Sequence, residues 1–259
     1  MPSGIVAEPR PVTEGRNAAR AVRADNQLGT APIADLFSFI ERLHAGTLVI
    51  RKPMPDGPEG ALVRSGDDLL LIINTAERLL SRQRFTAAHE LGHQHFDSGT
   101  NATFIERDLF RNDVLEMRAN AFAVNLLLPL QAIKERRDDG RIDINNDEHL
   151  VVLSLEYGLS LQSLGYHLKN NSLITDKRRL ELTTLRPLKM ASSLGFVERA
   201  REEFQAKGTT RWPGRFVQLA VEAHDANSLP DSAKAMLRQD ESAQTWLDRE
   251  AEFDLFTEA

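Results

Sequence analysis

The stretch Arg84-Phe85-Thr86-Ala87-Ala88-His89-Glu90-Leu91-Gly92-His93 places two histidines and a glutamate in the pattern His-Glu-x-x-His. Imidazole nitrogens and carboxylate oxygens are zinc ligands, and a carboxylate beside the metal can act as a base. On an α-helix of about 3.6 residues per turn, His89 and His93 project from one face, one above the other. Both can then reach one Zn²⁺ at about 2.0–2.1 Å. Glu90, one position round, leans towards the same point, close enough to take a proton from a water activated there. Ala87, Ala88 and Leu91 favour the helix, whereas Gly92 costs it roughly 1 kcal/mol against Ala and implies a closely packed neighbouring backbone. The bland alternative is a surface helix on which the three residues coincide, since a five-residue pattern also arises by accident.

A third ligand decides between these readings. Downstream of His93 the carboxylates are Asp97, Glu106, Asp108, Asp113 and Glu116. Asp97 lies two turns from His89, about 11 Å along the axis, so it cannot bend back to the same ion and reads as a partner to a ligand instead. Glu116 sits on an independent helix, with Asn120 one turn later on the same face. One carboxylate from a second helix completes a three-ligand site with an open position, and Asn120 can then hydrogen-bond a ligating histidine. The competing role for Glu116 is a capping box with Asp113, three residues earlier. The longer metzincin pattern fails because Phe96 and Gly99 stand where Gly and His are needed.

Those groups must be positioned by the rest of a 259-residue chain, 41% hydrophobic and 27% charged, enough for one large or two small cores. Net charge is −6, which gives no global attraction to nucleic acid or an anionic membrane. There is no Cys, so disulfides and thiolate metal sites are impossible. No signal peptide or membrane-length apolar run is visible, and a cytoplasmic location is the default expectation.

Four segments follow. Residues 1–29, with scattered arginines (Arg10, Arg16, Arg20, Arg23), read as a flexible arm whose middle could form a polar helix. Residues 30–144 read as the core: a helix from Thr30 with Pro32 in its first turn, three short strands in a small antiparallel sheet (47–51, 61–64, 68–74), the motif helix 81–96, a helix from Glu116 to Leu128 and another from Leu130. Residues 145–186 contain two short helices joined by Gly158-Leu159, resembling a helix-turn-helix. Between Asn145 and Leu180, four basic against four acidic residues make a poor phosphate reader, so a packing role on the core is preferred. Residues 187–259 read as a helical extension ending in an acidic tail from Asp240. The fold class expected is α+β, mainly helical.

Taken together, Arg84-Phe85-Thr86-x-Ala88-His89-Glu90-Leu91-Gly92-His93 and Glu116-x-x-Ala119-Asn120-x-Phe122-Ala123-x-x-Leu126-Leu127-Leu128-Pro129 resemble the ImmA/IrrE family of bacterial zinc metallopeptidases. Pro32-Ile33-x-Asp35-Leu36 and Leu164-Gly165-Tyr166-His167-Leu168-Lys169-Asn170 extend the likeness to about residues 16–180. The resemblance implies a gluzincin-like core of small sheet and HExxH helix, with zinc on His89, His93 and Glu116 and Glu90 as general base. It also implies a helix-turn-helix repressor or antitoxin as substrate. Two positions depart from the family pattern: Asp97 stands where many members have a further His, and Leu128 where many have Met.

Three functions compete. The first is a zinc endopeptidase that inactivates a repressor or antitoxin with one cut. It needs a second electrophile for the oxyanion, for which His167, Tyr166 and His149 are candidates. The second is a partner-binding regulatory or toxin component in which zinc is structural. The third, a DNA-binding regulator acting through 145–180, is the weakest on charge.

Overall fold

The structure, a computed structural model, describes residues 10–97, 113–240 and Ala243. The polar stretch with Glu106 and Asp108, the side chains of Asp97 and Asp113, and the terminal helix expected at 241–256 lie outside the described residues.

Within the arm expected at 1–29, the polar helix is longer than its expected middle, spanning the 16 residues Arg10–Asp25 (α1), and it is docked rather than loose. Its small residues explain why it docks. Ala19 is fully buried, and Gly15 lies so close to the Arg118 carbonyl and the Phe122 amide that a Cβ there would overlap them. Arg23 fastens the far end, donating to the carbonyls of Gly29 (3.0 Å), Leu126 (2.5 Å) and Ala31 (2.5 Å). Charged residues made the segment look detachable, but small residues on one face let a polar helix approach another backbone.

Helix α2 covers Leu36–Leu43. It begins later than expected from Thr30, because Asp35 provides the cap: its carboxylate accepts from the Ser38 amide at 3.1 Å. Three strands follow, β1 (Thr47–Lys52), β2 (Gly60–Ser65) and β3 (Asp68–Asn74), in the order β1-β3-β2. The sheet is mixed rather than wholly antiparallel. β2 and β3 form the expected hairpin through Gly66 (φ +59°), whereas β1 pairs parallel to β3 with Thr47 opposite Leu69 and Lys52 opposite Asn74. The Pro- and Gly-containing link after β1 carries the chain past the place β3 will take, so β3 enters between its predecessors. Asn74 holds that link with its side chain, accepting from Met54 N and donating to the carbonyls of Met54 and Pro58.

Helix α3 (Leu80–Asp97) carries the histidine motif, and α4 (Asp113–Leu127) crosses it. Then come α5 (Leu130–Asp138), α6 (Asp147–Tyr157) and α7 (Leu161–Asn170). Gly158, at φ +64°, ends α6 in the left-handed conformation that glycine adopts without strain. α6 and α7 share the main core through Leu150, Leu153, Leu164 and Leu168, all fully buried. Two short helices escaped the sequence reading: α8 (Asp176–Leu182), capped by Thr175, and α9 (Pro187–Met190).

One apolar cluster runs from Ala19 in α1 to Ala191 after α9. Helix α10 (Val197–Gln205) packs Ala200 against this main cluster, whereas α11 (Gly214–Asp225) and α12 (Asp231–Leu237) support a second, smaller one of Ala220, Leu229, Leu237 and Ala243. Asp240, read as the start of a solvated acidic tail, is instead buried and accepts from Arg211 (2.9 Å) and the Trp212 amide (3.0 Å). The connecting segment is stitched to the sheet, with Arg51 and Arg211 exchanging two backbone hydrogen bonds of 3.0 and 2.7 Å. No helix among the described residues is long and apolar enough to cross a membrane.

Candidate metal centre

The motif helix is held at its start by side chains from distant elements. The Ser81 amide, one of the donors left over in a first helical turn, is taken by Glu203 Oε2 of α10 at 2.8 Å. Gln83 donates to the carbonyls of Arg78 (2.9 Å) and Ala206 (2.8 Å). Arg84, buried, donates to the carbonyls of Ile33 (2.7 Å) and Ala34 (3.2 Å), tying α3 to the segment ahead of α2. Loss of water lowers its pKa to about 10, helped by the nearby Arg199 charge, and it stays protonated at neutral pH.

Midway, α3 meets α4. A Cβ on Gly92 would stand 3.2 Å from the Ala119 Cα and 3.1 Å from Phe122 Cδ1, which accounts for a glycine in a helix interior. This close approach brings Glu116 of α4 over the histidine face of α3. His89 Nε2 lies 3.2 Å from Glu116 Oε2, and His93 Nε2 lies 3.2 Å from Glu116 Oε1. The two Nε2 atoms are 3.0 Å apart. Ligand atoms of all three residues fall within 4.8 Å of one another.

The donor chemistry fits a metal. His89 Nδ1 is 3.1 Å from Asn120 Oδ1, an acceptor, so the ring proton belongs on Nδ1 and a lone pair is left on Nε2. That lone pair faces a carboxylate oxygen and a second imidazole nitrogen, and a metal cation among the three could be bound by all of them. His93 is almost fully buried, whereas the Glu116 side chain is 38% exposed, so the group opens to solvent on the α4 side.

Glu90, 6% exposed, lies against the sheet. A Cβ on Gly60, the first residue of β2, would lie 3.2 Å from its Cγ and 3.5 Å from its Oε1. The glutamate therefore sits between the histidine cluster and the start of an edge strand. Spacing within the sequence gave no sign of this proximity, because it depends on where β2 begins relative to α3.

The remaining candidates fall elsewhere. His149 is spent on a turn, its Nδ1 accepting from the Asp143 amide at 2.9 Å. Tyr166 is half-exposed with the Arg179 guanidinium 4.5 Å above its ring. His167 is buried; desolvation, offset slightly by the Leu128 carbonyl, lowers its pKa to about 4, so it is neutral at physiological pH. Tyr166, His167 and Asn120 all line a cavity of about 380 Å³, walled also by Phe85, Met117 and Val124. Asn120 thus touches both the histidine cluster and this cavity.

Residues 43–169 match the family model described as the IrrE N-terminal-like domain, Peptidase_M78. A stretch of 58 residues is 47% identical to the "Uncharacterized immunity region protein 2" of Bacillus phage phi105. It covers 22% of this chain and 34% of that relative, so the match spans about a third of the relative's length. The matched family region contains α3, the sheet, α4 and the whole of the histidine–glutamate cluster.

Proposed function

We propose that this chain, which belongs through residues 43–169 to the Peptidase_M78 family, is a zinc-dependent endopeptidase acting on a helix-turn-helix repressor or antitoxin. The observation that carries the hydrolytic reading is the convergence of His89, His93 and Glu116 with the Glu90 carboxylate one residue away and facing an edge strand. The immunity-region relative supports a regulatory protein as substrate.

His89, His93 and Glu116 would hold the zinc, and Asn120 keeps His89 in the tautomer that binds it. When bound, zinc polarises a peptide carbonyl and acidifies water. The residues of the chain do the rest. Glu90 takes the proton of the attacking water on a carboxylate oxygen and returns it to the leaving amine nitrogen. Its near-complete burial keeps bulk water from competing for that proton. The outer edge of β2 offers backbone groups to an extended polypeptide, aligning it beside Glu90 by strand addition. The cavity next to Asn120 gives room for a substrate side chain, and Tyr166 at its wall presents a hydroxyl for the oxyanion. His167, neutral and enclosed, is the weaker donor of the two.

The test uses zinc-loaded protein and the small helix-turn-helix protein encoded nearest to it. Wild type gives one discrete cut. Glu90→Gln retains zinc and partner binding but cuts at a rate about 10²–10⁴-fold lower. Full action of the Gln variant on the partner, with zinc retained, replaces proteolysis by the reading in which zinc is structural and the protein acts by binding.

A further inference from the structure

A second cavity of about 520 Å³ is lined by residues of α1, the end of α4 and α5. Its charged lining is all of one sign: Arg16, Arg20 and Arg23 from α1 and Lys134 from α5, over a floor that includes Pro129 and Leu130. Among the described residues no carboxylate lines it. In a protein of net charge −6 this is a local reversal.

The arrangement is costly without a ligand. Arg16, Arg20 and Arg23 recur at helical spacing on one face of α1, and like charges so placed repel. Arg23 is buried and donates to three neutral carbonyls, which do not cancel its charge. Arg20 and Lys134 are exposed and make no ion pair among the described residues. Arg16 is engaged by Asn171, to whose Oδ1 it donates at 3.2 Å, and Glu135 stands at the edge, where it accepts from Thr30 (3.1 Å) and Gln131 (3.0 Å), which leaves Arg20, Arg23 and Lys134 as the charges a ligand would meet.

We infer that this cavity binds a small anionic molecule that carries a phosphate or carboxylate on an apolar body. Paired guanidinium groups present parallel N–H donors that match such oxyanions. Ala24, Pro129 and Leu130 supply the apolar contact, and the volume accommodates a two-ring frame. Asn125 is shared with the cavity beside Asn120, so the ligand would lie one residue away from the space adjoining the metal centre. The Asn125 side chain is buried, donates to the Ala121 carbonyl at 2.8 Å, and has no partner for its Oδ1.

The inference is independent of proteolysis and is tested by calorimetric titration of the full chain with 1-naphthyl phosphate, 1-naphthoate and the uncharged 1-naphthalenemethanol. At least one anion is expected to bind once per chain, at least tenfold more tightly than the alcohol, and which anion is tighter identifies the headgroup. Arg20→Gln and Lys134→Gln, both at exposed positions and checked for folding by circular dichroism, should each weaken it by roughly tenfold. The inference is overturned if neither anion binds, if the alcohol binds equally well, or if the double variant binds the anion as wild type does.

Discussion

Asn120 Oδ1 stands 3.1 Å from Nδ1 of His89, on the side of the ring away from Glu116. A ligating histidine held this way is fixed in both rotation and tautomer before any metal arrives. Asn120→Ala should therefore weaken zinc binding by about 10–100-fold without unfolding the protein. Competition with a chromogenic chelator measures it, and unchanged affinity would remove Asn120 from the site.

Glu203 acts on the same helix from much farther along the chain. Its carboxylate accepts from the Ser81 amide in the first turn of α3, where it also faces the positive end of the helix dipole. Glu203→Ala should cost about 1–2 kcal/mol, which in a chain of this size lowers the melting temperature by a few degrees. Truncation before α10 should lower it further, because Gln83 then also loses the Ala206 carbonyl.

Gly60 leaves room for Glu90. A methyl group there would come 2.6 Å from Thr86 Cγ2 and 3.2 Å from Glu90 Cγ, so Thr86 or the strand must shift, and with it the space that seats Glu90. Gly60→Ala is expected to retain zinc and to lose about 10²-fold in peptide cleavage, the usual cost of a displacement near 1 Å. Metal analysis alongside a cleavage assay separates the two effects.

Burial makes His167 a pH-dependent contributor to stability. Its pKa is about 4 when folded against 6.5 for a free histidine, so the unfolded chain binds the extra proton first as pH falls. Stability from this group is fully present above about pH 6.5 and is lost progressively down to about pH 4, a total of about 3 kcal/mol. Urea titrations of metal-free protein from pH 7 to 4 should show this slope, and His167→Phe should flatten it relative to wild type.

Much of this arrangement was legible in the sequence because it rests on local periodicity. The bounds of β3 and the helical registers of α3 and α4 follow from apolar spacing, and Gly92 announced a close backbone approach that the Ala119 and Phe122 contacts explain. What escaped depends on partners distant in sequence. The parallel pairing of β1 with β3 is set by the order in which strands fill the sheet. The docking of α1 turns on Gly15 and Ala19, small residues whose value appears only when α4 lies against them. The proximity of Gly60 to Glu90, and the reach of Glu203 to Ser81, leave no periodic trace at all.

The outer edge of β1 is occupied at Val49 and Arg51. Glu41 Oε1 takes the Val49 amide at 3.0 Å, and Arg211 pairs with Arg51 on both backbone groups. A three-stranded sheet with both flanks open could be extended from either side, and copies of it could then stack into an indefinite ribbon. Blocking β1 makes the sheet one-ended. An added strand on β2 has no counterpart on the far side, so association through the sheet stops at one guest per molecule or at a closed pair of molecules. Arg211, far along the chain from the strands it borders, thereby leaves β2 as the edge at which the sheet would receive a guest.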